Sequence, residues 1–129
     1  MTLHDDTLGL TDYRQQLAAV LVAGLPADVA VWDSIPDSIA PPSVYVTWAN
    51  PWLVPTTWCD YTVQCQILAV AQRIEPGGQY SVLESLIAQI LATLKANRIA
   101  IRDVSAPYPL VLAGVNYLAA SINVPNETG

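Results

Sequence analysis

The residues able to do chemistry in this chain are few and scattered. His4 is the only histidine among 129 residues, and it stands in a polar N-terminal stretch away from any cysteine pair. Zinc sites need several N or S ligands in one rigid frame, and nucleophilic triads need a base locked beside the nucleophile. Neither pattern is present. Asp33 and Asp37 flank Ser34-Ile35-Pro36 and give the one spacing that could pair two carboxylates. Asp in such a stretch bonds its own loop backbone, so turn chemistry is the expectation. Gly77-Gly78 has no P-loop or dinucleotide spacing around it and reads as a turn. Ser81 lacks a G-x-S-x-G context. With Glu84 three residues on, it reads as the start of a capping box. No residue is assigned as catalytic, cofactor-binding or metal-ligating, and the chain is not expected to be an enzyme.

Cys59 and Cys65 lie six residues apart in an alternating segment. As a strand this puts them roughly 20 Å apart on one face, well beyond the ~7 Å Cα separation that a disulfide spans. Two buried free thiols are expected.

The elements that must position these residues follow from periodicity and punctuation. Tyr13, Leu17, Val20 and Leu21 recur at helical spacing, which predicts a helix from Asp12 to Ala23. Thr11 is its expected N-cap, and Gly24-Leu25-Pro26 its stop. Residues 29–32 read as a short strand and Val44 to Trp48 as another, joined by a Pro-rich connection. Residues 49–57 are expected to be irregular, because Pro51 and Pro55 exclude a central strand. From Trp58 to Ala71 the period is two. Cys59, Tyr61, Val63, Cys65, Ile67 and Ala69 share one face, and Asp60, Thr62, Gln64 and Gln66 the other. A second helix is expected from Val82 to Ala96, capped by Ser81, closed by Asn97 and carrying a stripe of Leu83, Leu86, Ile87, Ile90, Leu91 and Leu94. Ile99 to Val104 reads as a strand, Leu110 to Leu112 as an edge piece, and Val115 to Val124 as the last strand. That strand is apolar on both faces, so it is either central or covered from outside the domain. Residues 1–9 and 125–129 read as loose ends. The fold class is a single α+β domain over residues 1–129, with a mainly antiparallel or mixed sheet of about five strands and two helices on one face, in the order α-β-β-β-α-β-β.

Composition bears on partners. The apolar fraction is 53% and the charged fraction 12%, about half the usual ~25%. So little charge on a small domain leaves apolar surface facing outward, which marks a contact site. Eleven acidic residues stand against five basic ones, for a net charge of −6. The basic residues form no run, which argues against phosphate-driven nucleic-acid binding and against an anionic membrane surface. No apolar run approaches the ~18 residues of a membrane span. The acidic stretch before Leu17 argues against a signal peptide. Trp48, Trp52 and Trp58 fall within eleven residues. Trp52 sits between Pro51 and Pro55 and has three readings: an interface anchor, a stacking platform for single-stranded nucleic acid, or a side chain folded back onto its own domain. Trp52, Leu53, Val54 and Trp58 are the candidate assembly-interface residues.

The series Thr11-Asp12-Tyr13-Arg14-Gln15-Gln16-Leu17, Asp33-Ser34-Ile35-Pro36, Pro41-Pro42-Ser43-Val44-Tyr45-Val46, Tyr61-Thr62-Val63-Gln64-Cys65-Gln66-Ile67, Ser105-Ala106-Pro107-Tyr108-Pro109 and Gly114-Val115-Asn116-Tyr117-Leu118-Ala119-Ala120-Ser121-Ile122 resembles the tail terminator proteins of long, non-contractile-tailed phages, especially those of actinobacterial hosts. The resemblance spans nearly the whole chain and rests on element order and loose patterns, without a chemical signature. It implies a structural virion protein at the tail–head junction, assembled in the host cytoplasm. The implied form is a homo-hexameric ring that caps the tail tube, stops its polymerisation and joins the tail to the head connector. The implied partners are other copies of itself, the tail tube protein and the head–tail connector protein. The resemblance also implies that DNA passes through the ring without specific binding and that no membrane is involved. No cofactor is implied. The rival classes are another head–tail connector or tail-completion protein, and a small α+β enzyme, which would need a converging polar pocket.

Overall fold

The computed structural model describes residues 10–32, 41–57, 60–73, 80–112 and 114–126. These form helix α1 (Leu10–Gly24), strands β1 (Ala30–Trp32), β2 (Ser43–Thr57) and β3 (Asp60–Arg73), helix α2 (Ser81–Ala96), and strands β4 (Asp103–Val104), β5 (Tyr108–Leu112) and β6 (Val115–Asn126). The expected α+β class is the observed one, but the sheet has six strands and three of them follow α2, since the β4 and β5 pieces are separate strands beside β6. One sheet runs β1-β2-β3-β6-β4, and β5 also pairs with β6. Only β1 and β2 run parallel, and the remaining pairs are antiparallel.

Both helices lie on one face of this sheet. Leu17, Leu21, Leu83, Leu86, Ile90 and Leu94 pack with Val44, Val46, Cys65, Ile67, Ala120 and Ile122 in one core. The period-2 pattern of β3 therefore does what the alternation predicts, with Cys65, Ile67 and Ala69 turned toward the helices. α1 and α2 approach closely where α1 ends. A Cβ at Gly24 would stand 2.4 Å from Thr93 Cγ2, and Thr93 is fixed by the bond its Oγ1 donates to the Gln89 carbonyl at 2.9 Å. Gly24 thus stops α1 and also lets the helices touch.

The other face carries a second apolar cluster. Tyr45, Leu68, Val70, Tyr117 and Ala119 are buried there, with Tyr108, Leu110, Leu112 and Val115 packed against them. The β5–β6 hairpin supplies most of that cover. Ser43 Oγ donates to Tyr45 Oη at 2.7 Å. Burial raises the Tyr45 pKa, with the Ser43 bond opposing the rise and nearby Tyr117 adding to it. β6 runs between β3 and the β4/β5 edge, with Tyr117 through Ile122 all buried. Its two-sided apolarity is therefore that of a central strand, and both faces are covered within the domain.

Several boundaries differ from the sequence reading. Thr11 lies inside α1, which begins at Leu10. Ser81 is the first residue of α2, and its neighbour Tyr80 occupies the cap position without a side-chain cap bond. The capping box is therefore not formed, and the Glu84 amide instead donates to the Tyr80 carbonyl at 2.8 Å. Asn97 does close α2, donating from Nδ2 to the Thr93 carbonyl at 2.8 Å. The strand expected at Ile99 to Val104 shrinks to Asp103–Val104. The Ile99 amide is used to finish the helix, donating to Leu94 O at 2.9 Å. The edge piece expected at Leu110 grows to Tyr108–Leu112. Pro109 is tolerated there because, among the described residues, β5 pairs on one side only. Residues 125 and 126, expected to be loose, belong to β6, paired with Gln64 and Val63. Residues 1–9 lie outside the described residues.

Candidate assembly interface

The segment expected to be irregular, residues 49–57, is the second half of β2. The proline argument fails there for a local reason. β1 covers β2 only at Ser43 to Tyr45, so from Val46 onward β2 has a strand neighbour on one side only, among the described residues. Pro51 and Pro55 fall on this open stretch, where a missing N–H costs no ladder bond on the outer side. The strand also carries a large bulge. Between the pairs Trp48↔Cys65 and Leu53↔Val63, β2 inserts Ala49 to Trp52 opposite Gln64 alone. A bulge re-aims side chains, and this one brings Trp52 back over Trp48.

The two indole rings lie 4.9 Å apart, centroid to centroid, tilted by 33°. The Arg14 guanidinium from α1 stands 5.7 Å from the Trp48 centroid, a cation–π distance. Tyr13, on the same helix, donates its hydroxyl to the Val124 carbonyl at 3.4 Å. Trp48 is packed against the helix-side core. Trp52 is 41% exposed even with this contact, so folding back covers part of the ring and leaves the rest to solvent. Leu53 and Val54 are half-buried. The structure thus brings Trp52, Leu53 and Val54 together on one arm, and Trp58 lies outside the described residues. Among the described residues, β3 pairs with β2 alone at Asp60 to Thr62, and the described part of β6 ends opposite Val63. The paired ends of β2 and β3 therefore extend past the described end of β6.

Arg14 was not singled out by the sequence reading. Its position in the sequence is that of an ordinary polar residue on a helix, and only the packing of α1 against β2 reveals Trp48 as its aromatic neighbour. On the opposite face, a shallow groove of about 280 Å³ is lined by Val54, Thr62, Gln64, Ile101, Arg102 and Pro125. Gln64, placed on the polar face by its period, is only 2% exposed and accepts a hydrogen bond from Arg102 Nη1.

Of the residues weighed for chemistry, Ser81 and Glu84 are exposed on the first turn of α2. His4, Asp33, Asp37, Gly77, Gly78 and Cys59 lie outside the described residues. Cys65 is a buried free thiol. Burial pushes its pKa from near 9 up to about 12, against a smaller opposing effect of Arg14. Burial likewise raises the pKa of Tyr13, with Cys65 adding to the rise. The consequence is alkaline sensitivity. In the unfolded chain the Cys65 thiol ionises near pH 9, and in the folded protein near 12. Between those values the unfolded state holds fewer protons, so stability falls as pH rises. Below pH 9 this contribution is fully present. Melting temperature is expected to drop from pH 9 upward, with tyrosine ionisation steepening the drop above pH 10. Cys65→Ala should make the decline between pH 9 and 10 shallower. Equal slopes for the two proteins would show that the thiol does not feel this burial.

No family model and no curated protein matches this sequence.

Proposed function

We propose that this chain is a structural subunit of the tail-terminator kind, assembling into a ring that caps a phage tail tube and joins it to the head connector. The observation that carries the reading is the β2–β3 arm. Among the described residues it extends beyond β6 and its outer edge is unpaired, and it holds a half-solvated tryptophan beside Leu53 and Val54. A subunit that stops a polymer must contact that polymer and its own neighbours, and an apolar arm with open backbone groups suits such contacts. The acidic composition, at −6, suits a ring through which DNA slides without sticking, since phosphate repels carboxylate.

The test is the length and completeness of tails. Virions assembled without this chain are expected to carry overlong tail tubes detached from heads. Supplying the chain should restore a defined length and a ring at the head-proximal end, seen by electron microscopy. Tails of normal length joined to heads in its absence would refute the proposal.

A further inference from the structure

Arg102 is held at two points and neutralised at neither. Its amide donates to the Asn123 carbonyl at 2.8 Å, which ties the backbone to β6 just ahead of β4. Its side chain reaches across β6 to β3, where Nη1 donates to Oε1 of Gln64. Gln64 is buried in the sheet, so the anchor is itself fixed. A guanidinium carries five N–H donors in a rigid fork, and among the described residues Gln64 is the one side chain bonded to it. The neighbouring Asp103 is exposed and its carboxylate is turned to Asn123, accepting from Nδ2. A carboxylate in place of Gln64 would close the guanidinium into an internal ion pair. A neutral amide fixes its position and leaves its charge uncompensated.

We propose that the groove beside Arg102 takes an acidic side chain of a partner protein, with an aliphatic side chain next to it in that partner. The groove has a volume of about 280 Å³ and is walled by apolar Val54, Ile101 and Pro125, with the Thr62 hydroxyl between them. Arg102 supplies its one charge. The free part of the fork matches the two oxygens of a carboxylate, and the bond to Gln64 reduces the side-chain freedom lost when that carboxylate docks. Ile101, 36% exposed, and the two other apolar walls offer area to the hydrocarbon beside it. A run of phosphates would need several cations and would meet a chain of net charge −6, whereas a lone carboxylate needs only the one. The contact stands apart from the ring reading and does not depend on it.

The probe is the acetylated tripeptide amide Leu-Glu-Leu, titrated into the full chain while NMR follows the Arg102 Nε–H and the Gln64 side-chain amide. Its Leu-Gln-Leu counterpart is the control. The Glu peptide is expected to shift both signals and to bind at least about 10-fold more tightly than the control, in keeping with a hydrogen bond between charged groups. Arg102→Gln should abolish that difference. Arg102→Lys, which keeps the charge and loses the fork, should fall between the two. Gln64→Met keeps the volume and the Arg102 charge but removes the anchor, so it should weaken binding of the Glu peptide while thermal melting confirms the fold. Asp103→Asn removes a like charge next to the ligand and should tighten binding, by up to about 5-fold. Equal binding of the two peptides to the parent, or no shift at Arg102 with either, would overturn the proposal without touching the functional reading. A double-stranded DNA oligonucleotide that binds through Arg102 more tightly than the Glu peptide would assign the groove to phosphate and overturn it as well.

Discussion

Ile122→Ala is expected to lower the unfolding free energy by about 2–5 kcal/mol, the range for truncating a fully enclosed isoleucine. Ile122 is completely buried at the middle of β6, opposite Ile67 of β3 on one side and Val104 of β4 on the other. It belongs to the cluster under both helices, so its removal opens a void that a closely packed interior can only partly fill. A small domain has a total stability of roughly 5–15 kcal/mol, so this one change removes a large share of it. Ile122→Val should cost about 0.5–1.5 kcal/mol. Val104→Ala, on the paired but solvent-facing strand, should cost less than Ile122→Ala, since Val104 is already partly in water. Urea denaturation of the three variants reads the order directly. If Val104→Ala costs as much as Ile122→Ala, β6 is not the central strand and the sheet order is wrong.

That experiment also separates what sequence pattern can and cannot reveal. The apolar alternation of β3 and the stripe of α2 identify core positions without any knowledge of neighbours, because period and burial are coupled within one element. The last strand is different. Apolarity on both faces of Val115 to Val124 says that both faces are covered, but not which elements cover them. Here the helices pack on one side, and on the other Tyr45, Leu68 and Val70 join the side chains of β5 around Tyr117 and Ala119, so the buried stretch Tyr117 to Ile122 offers no surplus surface for assembly. The prolines of β2 were misleading for a related reason. Pro51 and Pro55 forbid a central position, yet a strand with one open edge admits them, and the openness depends on where β1 stops. The cap of α2 shows the limit of local motifs. Ser81 and Glu84 have capping-box spacing, but the chain enters the helix one residue earlier, and the hydroxyl is carried past the orphan amides. The candidate interface was legible as a cluster of tryptophans and prolines. Its geometry was not, since it depends on a bulge that sets Ala49 to Trp52 against Gln64 alone.

Trp52→Ala is expected to leave the subunit folded and to impair assembly. Trp52 contributes to its own domain through the tilted contact with Trp48, and an aromatic pair of this kind adds about 0.5–1.5 kcal/mol beyond buried area. In a domain of this size 1 kcal/mol corresponds to a few degrees of melting temperature, roughly 4 °C. The fold should therefore survive with a small downward shift, since Trp48 keeps its packing on the core and its Arg14 neighbour. The larger effect is expected between subunits. The exposed 41% of Trp52 stands on a strand stiffened by Pro51 and Pro55, which lowers the ordering cost of binding. Tryptophan at the centre of a contact typically costs 2 kcal/mol or more when truncated, about 30-fold in each contact, and a ring repeats that loss at every junction. Circular dichroism and thermal melting read the subunit, while sedimentation and electron microscopy of tails read the assembly. Trp52→Phe retains an aromatic face for Trp48 and should fall between the parent and the alanine variant in both measurements. A Trp52→Ala protein that melts many degrees lower yet assembles like the parent would make Trp52 a core residue, and the arm would then have to find its partner through Leu53 and Val54 alone.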